Sequence, residues 1–444
     1  MKPSTDQKLI SMGNKVLELS KRAGAGECAV SITKRTGNRV VNRDGKWEEI
    51  KGSTTFSIKI RLFVDNRYAV HVTSDGRTAS LESFIREATA LTRYLAQDKH
   101  RHLPDPTLYN GRSKKDLGLY DPKILALSLS ARKEVAEKAF ASARSHAGPK
   151  LISCAATFGD SVAEHVLLTS NGFSDSEVVS TVYNYATVSL KDSDEGRPSD
   201  YEYTASRTIN GLLSPEAIGK MASERTIARL GAKKIPSGKM DVIVENRALG
   251  SLLSGFLRPL EGNNVYNKQS CMADLRGKSL GSSLLTLQVD PLIVGGLGSS
   301  RFDGEGLTAR QFPLLDKGVL RNFFIDVYYG SKLGEKPTSG NHFNLLIQPG
   351  SISAGDLLKR VKKGILVTSF NGGNSNSTSG DFSHGVSGFL IERGSITSPV
   401  KELNIAGNHK DFWKKAAAVG NDLYLPSSVR TPSLLFPSVM IAGT

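Results

Sequence analysis

At 444 residues the chain is longer than one ordinary domain, so we expect two or three domains. Its 39% hydrophobic and 23% charged residues are typical of a globular protein and argue against disorder. The net charge of +15 attracts polyanions, but the Lys and Arg residues occur in small groups without a recognisable nucleic-acid-binding motif. The charge therefore predicts basic solvated surfaces, and we do not expect a nucleic-acid partner.

The sequence carries no signal for a membrane or for export. No apolar run approaches the roughly 20 residues that span a bilayer, and residues 1–22 lack the continuous apolar core of a secretory signal. The three cysteines, Cys28, Cys154 and Cys271, are far apart in sequence and argue against a disulfide framework. We therefore expect a cytoplasmic protein with no membrane partner, in which Cys271 is a packed thiol.

The first 230 residues show one pattern of elements twice. The apolar spacing from Leu9 to Leu19 predicts a helix, because it follows the helical period. The remaining elements predicted for this first cycle are, in chain order, strands at Glu27–Thr33, Thr54–Val64 and Arg67–Val72 and a helix at Thr78–Ala96. The polar stretch Gln97–Asp121 then reads as a linker.

The second cycle begins at about residue 122. The pattern predicts a helix from Lys123 to His146 and strands at Leu151–Phe158, Glu164–Ser170 and Val178–Leu190. A closing helix begins after Ser214, since a Ser cap followed by Pro is typical of a helix start. These elements predict an N-terminal α+β domain, residues 1–230, which divides into repeats at 1–97 and 122–230.

The second half of the chain has a different character. After the basic joint Gly231–Lys239, the sequence predicts a buried strand at Asp241–Glu245 and a short helix at Arg247–Leu257. Beyond Ser270, short apolar runs alternate with Gly and Ser, as in antiparallel sheets. Residues 231–444 are therefore predicted to form a mainly antiparallel β domain, which gives an α+β fold overall.

One hairpin is predicted in detail near the C-terminus. Phe389–Ile391 reads as a strand, Glu392–Gly394 as a tight turn and Ser395–Val400 as the returning strand. This hairpin belongs to a Gly-punctuated stretch, Thr378–Asn408. Further characteristic blocks occur in a fixed order in the same half of the chain: Ser299–Gly306, Lys317–Asp326, Thr338–Asn341, Ala418–Asp422 and Met440–Thr444.

Through these blocks the last 200 residues or so resemble the TldD/PmbA family, also called modulators of DNA gyrase. The resemblance implies a pair of related subunits, of which the TldD-type subunit is a zinc metalloprotease with an HExxxH helix. In this motif the two His side chains lie close enough on one helix to bind the same metal ion, and the Glu can polarise the water bound to that metal. Which subunit type the chain resembles therefore decides whether it is itself an enzyme.

The segment that aligns with the metal helix offers no zinc ligand. It reads Ser254, Gly255, Phe256, Leu257, Arg258 and Pro259, and no HExxH or HExxxH occurs elsewhere in the chain. The family's third ligand is a Cys near the C-terminus, yet Leu423–Pro437 contains none. A catalytic zinc needs three protein donors. The resemblance therefore implies the TldE/PmbA-type subunit, with no metal, cofactor or catalytic residue of its own and with zinc in its partner.

Other polar groups keep alternative interpretations open. Asp381, Ser383 and His384 are close enough in sequence to suggest a triad, but neighbouring strand residues point to opposite faces, which favours sheet hydrogen bonds. Asp303 and Glu305 could bind a metal or act in hydrolysis, and their flanking glycines fit a structural turn or inter-subunit pairing better.

A cleft or interface is predicted for six residues that lie in the family-like blocks or next to them. They are Asp303, Glu305, Asn341, His342, Asp381 and His384.

Three functions follow from these observations. The first is a non-metal subunit that forms a heterodimer with a TldD-type HExxxH subunit and helps that subunit to cut unfolded or leader peptides. Without this partner, the chain would form a homodimer. The second is an independent peptidase with other ligands, around Asp303, Glu305, His342 and His384. The third is a polyanion- or DNA-binding regulator, in keeping with the basic charge.

Overall fold

The computed structural model describes residues 6–193 and 196–443. It has a mixed α/β fold with mostly antiparallel sheets, which confirms the predicted fold class. The first half builds one six-stranded antiparallel sheet in the order β3-β2-β1-β4-β5-β6. Its elements are α1 Gln7–Arg22, β1 Glu27–Arg43, β2 Lys46–Val64, β3 Arg67–Thr73, α2 Thr78–Thr92, α3 Leu129–Ala147, β4 Leu151–Thr169, β5 Ser174–Leu190, β6 Ser199–Ser206 and α4 Pro215–Ile227.

The two predicted repeats share this sheet. Each is a helix, three strands and a helix, and they join where β1 pairs antiparallel with β4, from Ala29 opposite Thr169 to Arg43 opposite Ala155. The α1–α2 pair covers Ile32 and Ile60 in one core. The α3–α4 pair covers Val188 in another. Each half of the sheet therefore buries its apolar face under its own two helices.

Several predicted strand boundaries in this half are wrong. The predicted strands Leu151–Phe158 and Glu164–Ser170 are one strand, β4, because Gly159 and the polar residues after it pair with β1 and β5 without interruption. A buried ion pair from Arg132 to Asp160, at 2.5 Å, keeps that polar stretch inside the fold. Strands β1 and β2 extend into polar residues for a similar reason, since they pair with each other along their length.

Helix boundaries and one strand also differ from the predictions. Helix α2 ends at Thr92, four residues before the predicted end. Helix α3 begins only at Leu129, because the Ser128 side chain accepts a hydrogen bond from the Ala131 N–H and caps it there. The earlier start at Lys123 is a separate short 3₁₀ turn. Strand β6 was not predicted.

The second half contains two further sheets. One has the order β14-β13-β12-β7-β17-β15 and closes on itself where β14 also pairs with β17. The other has the order β10-β9-β8-β11-β16. The elements are β7 Gly238–Val244, α5 Asn246–Leu257, α6 Gly262–Tyr266, β8 Leu287–Val289, β9 Phe312–Asp316, β10 Val319–Leu320, α7 Val327–Leu333, β11 Leu345–Ile347, α8 Ala354–Lys359, β12 Lys363–Ser375, β13 Asp381–Glu392, β14 Ser395–Asn408, α9 His409–Phe412, β15 Ala418–Val419, β16 Val429–Arg430 and β17 Leu434–Ala442.

Helix α5 lies at the centre of the main core of this half. Leu249, Leu253 and Phe256 are almost completely buried there, between the two sheets. The predicted hairpin is present, with Arg393 and Gly394 at positive φ in a two-residue turn between β13 and β14. Among the described helices, none combines the length and apolar character needed to cross a bilayer.

Candidate functional site

The end of helix α5 packs directly on a polar cluster of the closed sheet. Gly255 lies so close to Ser375 that a Cβ atom there would overlap the serine side chain, and it would stand 2.7 Å from His409 Nε2. Ser375 is the last residue of β12, and His409 begins α9. The absence of a side chain at Gly255 therefore allows the helix to approach these two residues.

Ser375 lies between two histidines. Its Oγ is 3.2 Å from His384 Nε2 and 3.2 Å from His409 Nε2. On the other side of the His409 ring, the Trp413 indole N–H donates to Nδ1 at 3.2 Å. His384 Nδ1 is 3.3 Å from the Gly372 carbonyl oxygen. Four hydrogen bonds thus connect Trp413 to Gly372 across the end of α5.

The chemistry of these groups indicates which of them donate and which accept in these hydrogen bonds. Burial, with a smaller contribution from His384, lowers the pKa of His409 to about 4, so His409 is neutral near pH 7. An indole N–H can only donate, so Nδ1 is the acceptor and Nε2 carries the proton. His409 therefore donates to Ser375, and His384 Nδ1–H donates to the Gly372 carbonyl, which can only accept. With a neutral His384 ring, its Nε2 accepts from the Ser375 hydroxyl.

This arrangement does not suit zinc. Both ring nitrogens of His409 are engaged, and His384 Nε2 already accepts from Ser375. A catalytic zinc needs three donors with free lone pairs. Within residues 6–193 and 196–443, no group of three or more His, Cys, Asp and Glu side chains is arranged to hold a metal.

Asp303 holds the Ser299–Gly306 loop together from inside. Its side chain is buried, and Oδ1 accepts from the N–H groups of Glu305 at 2.9 Å and Leu307 at 3.0 Å. Oδ2 accepts more weakly from Ser339 and Gly340, at 3.3 and 3.4 Å. Burial raises the pKa of Asp303, although these donors oppose the shift. The carboxylate therefore links its own loop to the Thr338–Asn341 block.

Glu305 connects the same loop to helix α7. Its Oε2 accepts from the Val327 N–H at 2.9 Å, at the helix start. Burial, the nearby Asp303 and the nearby Asp326 raise the pKa of Glu305 to about 7, with Asp303 the larger of the two acids. The carboxyl group therefore changes its charge near neutral pH in the folded protein.

His342 connects the region of this loop to the end of α5, and Asn341 Oδ1 lies beside Gly304 of the loop. His342 Nε2 is 3.6 Å from Glu261 Oε1, and its ring lies 4.2 Å from the Phe324 ring. Glu261 directly follows the short turn that continues α5. Burial lowers the pKa of His342, against the influence of Glu261. Segment 254–259 therefore begins beside Ser375 and His409 and ends next to Glu261, which pairs with His342.

Asp381, Ser383 and His384 do not form a triad. Asp381 accepts from the Asn408 side chain at 2.8 Å, and the Ser383 hydroxyl lies 3.4 Å from Asn404 Oδ1, both on the β14 side. His384 instead pairs with Ser375 on β12. Cys271 is half-buried, and burial raises its pKa, which disfavours a reactive thiolate.

Sequence reasoning missed Ser375 and His409, two central members of the cluster. They are 34 residues apart and meet only because β13 and β14 return the chain to the end of β12. The signal that could have singled out His409 is Trp413, four residues later and therefore within reach across one helical turn.

Comparison with known proteins matches three segments of the chain to the three domains of one family. Residues 28–92 match domain 1 of the PmbA/TldA metallopeptidases, residues 122–230 match their central domain, and residues 237–443 match their C-terminal domain.

Individual relatives agree with these matches. The metalloprotease PmbA of Escherichia coli O157:H7 is 29% identical, over 96% of this chain and 94% of that protein. A solved structure from Bacteroides thetaiotaomicron, described as a modulator of DNA gyrase, is 34% identical with a TM-score of 0.96, covering 99% and 100% of the two chains. TldE from Thermococcus kodakarensis shares the fold, with a TM-score of 0.86 at 19% identity over 97% and 100%.

Proposed function

Because the chain belongs to the PmbA/TldD family of metallopeptidases, we propose that it is the non-metal, TldE/PmbA-type subunit of a two-subunit zinc protease. One observation carries the proposal. The end of α5, where the family's metal helix is expected, has Gly255 against Ser375 and His409, and no zinc ligand stands between Ser254 and Pro259. The hydrogen-bond chain from Trp413 to Gly372 occupies the nitrogens that a metal would need.

In this proposal the zinc belongs to a TldD-type HExxxH partner, which cuts unfolded or leader peptides in the cytoplasm. The present chain shapes and closes the cleft in which the peptide is held. We assign the His342 region to that cleft or to the subunit interface, because His342 lies against Glu261 directly after α5. The loop of Asp303 and Glu305 supports this region from inside, through the bonds of Asp303 to Ser339 and Gly340. When purified alone, the chain forms a homodimer.

Reconstitution tests the proposal. This chain alone should contain no stoichiometric zinc by elemental analysis and should not cleave an unfolded protein or a leader-type peptide. Mixed with an HExxxH-bearing homologue, it should co-elute as a heterodimer and raise zinc-dependent cleavage above that of the homologue alone. A chelator should abolish that activity and added zinc should restore it.

Two outcomes would contradict the proposal. About one zinc per chain with chelator-sensitive cleavage in the isolated protein would favour an independent peptidase. Saturable, salt-sensitive DNA binding by the isolated chain, without any effect on the homologue's protease activity, would favour a polyanion-binding regulator.

A further inference from the structure

A separate cavity lies where the first sheet meets the second half of the chain. It has a volume of about 530 Å³, within the usual range for ligand sites. It adjoins the first residues of α5, Asn246 and Arg247, whereas Gly255 and its polar cluster lie near the other end of that helix. The cavity is therefore a different site from the one described above.

The acids that line this cavity are already paired. Glu245 forms a two-pronged ion pair with Arg225, at 2.8 and 2.9 Å. Glu202 pairs with Arg247 at 3.2 Å. Asp200, next to the cavity, is shared among Arg225, Arg229 and Arg247. No carboxylate of this group remains for another cation.

Arg430 is the lining residue without such a partner. In the described part of the chain it forms no ion pair, and its buried Nε has no hydrogen-bond acceptor. Burial lowers its pKa, and the negative charge of Asp290 opposes that shift. Asp290 itself accepts from the Leu292 N–H and from Gln311. A half-buried guanidinium left unpaired is costly, which points to an anionic ligand.

Apolar side chains and a free strand edge complete the walls. Leu213, Met221 and Leu425 line the cavity, and 46%, 38% and 57% of their surfaces remain exposed to solvent. Residues 202–206 of β6 also line it. Strand β6 is the outermost strand of the first sheet, so one of its edges has no strand partner among the described residues. Such an edge can bind an extended peptide by strand addition.

We propose that this cavity binds the C-terminal end of an apolar peptide. The terminal carboxylate pairs with the Arg430 guanidinium, the last side chain packs among Leu213, Met221 and Leu425, and the peptide backbone runs along β6. Among the described residues that line the cavity, Arg430 is the one arginine without an ion pair, which matches a ligand with one negative charge. The edge of β6 that has no strand partner favours a peptide over a compact small molecule. The cavity would hold the C-terminal ends of peptides on this chain itself. This goes beyond the proposed role of closing the cleft of a partner subunit.

The test uses the isolated full-length chain and fluorescence anisotropy. One fluorescein-labelled hexapeptide ends in Leu with a free carboxylate, and a second has the same sequence with a C-terminal amide. The acid should bind about tenfold or more tightly than the amide, because only the acid supplies the charge for Arg430. N-acetyl-leucine should compete about tenfold or more weakly than the unlabelled acid peptide, since it lacks a backbone to pair with β6.

Arg430→Gln should weaken binding of the acid peptide to that of the amide. Its melting temperature should be unchanged or higher, because the variant removes an unpaired cation. Arg310→Gln, at an exposed arginine that donates to the Asn110 carbonyl, is the control and should bind normally. Equal binding of acid and amide, normal binding by Arg430→Gln, or N-acetyl-leucine competing as well as the peptide would overturn the proposal. The assay contains no partner subunit, so its failure leaves the proposed protease role untouched.

Discussion

At the scale of single residues, Gly255 decides how helix α5 meets the sheet. An alanine there would place its methyl group against the Ser375 side chain and 2.7 Å from His409 Nε2. Ser375 is hydrogen-bonded to both histidines, and His409 also to Trp413, so neither Ser375 nor His409 can move aside without straining a hydrogen bond.

We expect Gly255→Ala to lower the free energy of unfolding by about 1–3 kcal/mol, the usual cost of overpacking. Gly250→Ala is the matched control in the same helix, because its methyl group would meet only a Val429 carbon at 3.7 Å. That variant should be neutral or more stable by up to about 1 kcal/mol, since Ala favours helix. Urea unfolding of the three proteins makes the comparison. Equal stability of the two variants would show that the contact at Gly255 has no special role.

The Glu305 carboxyl predicts a pH effect whose sign is fixed. Its pKa is raised from 4.5 to about 7 in the folded protein. Between these values the folded state holds a proton that the unfolded state has lost, so stability falls as pH rises through this window. Glu305→Gln keeps an acceptor for the Val327 N–H and removes the titration.

The variant should therefore lose less stability than the parent protein between pH 5 and pH 8. The loss of unfolding free energy between these two pH values should be larger in the parent protein than in Glu305→Gln, by up to about 3 kcal/mol. Urea unfolding at both pH values measures them. Identical pH dependence in the two proteins would contradict the raised pKa.

At the scale of elements, one carboxylate keeps the Ser299–Gly306 loop against its neighbours. Asp303 ties the loop to itself through Glu305 and Leu307, and to the next block through Ser339. Glu305 then connects the loop to the start of α7. Reversing either charge should therefore disturb the loop as a whole.

Asp303→Lys should lower stability by at least about 1.5–3 kcal/mol, the value of one hydrogen bond to a charged group. Asp316→Lys, at a half-exposed residue paired with Arg321 on the surface, is the control and should change stability little. Thermal unfolding is measured beside proteolysis by the complex reconstituted with an HExxxH homologue. If proteolysis disappears while melting and assembly are unchanged, these carboxylates act in catalysis and the structural interpretation is wrong.

At the scale of the whole molecule, the first sheet ends in two strands that each pair with only one other strand among the described residues. Strands β3 and β6 are its outermost members, and free strand edges are usually covered by a partner or by charge. Related subunits commonly associate about a two-fold axis. Both facts agree with the proposed pairing of this chain.

We expect the purified chain to elute as a homodimer, at twice the 47.8 kDa of one chain. A standard interface buries about 1,600 Å², enough to persist during gel filtration. Light scattering at micromolar concentration measures the mass, and an added HExxxH homologue should convert the homodimer into a heterodimer. A monomer under both conditions would contradict the proposed assembly.

The sequence by itself predicted helices α1 to α5, most strands of the first half and the β13–β14 hairpin, because helical periods, caps and turn residues are local signals. The lengths of the strands could not be predicted from the sequence. The polar middle of β4 is held by its neighbouring strands and by the Arg132–Asp160 ion pair, and neither can be seen in the apolar pattern of β4 itself. The apolar pattern located α5 and the family blocks located the Asp303 loop, but the division into domains at residue 230 stays a prediction.

Only the tertiary structure brought Ser375, His384 and His409 together at Gly255, and only it left Arg430 unpaired. Both depend on contacts between residues far apart in the chain, whose geometry is set when strands pair and sheets pack.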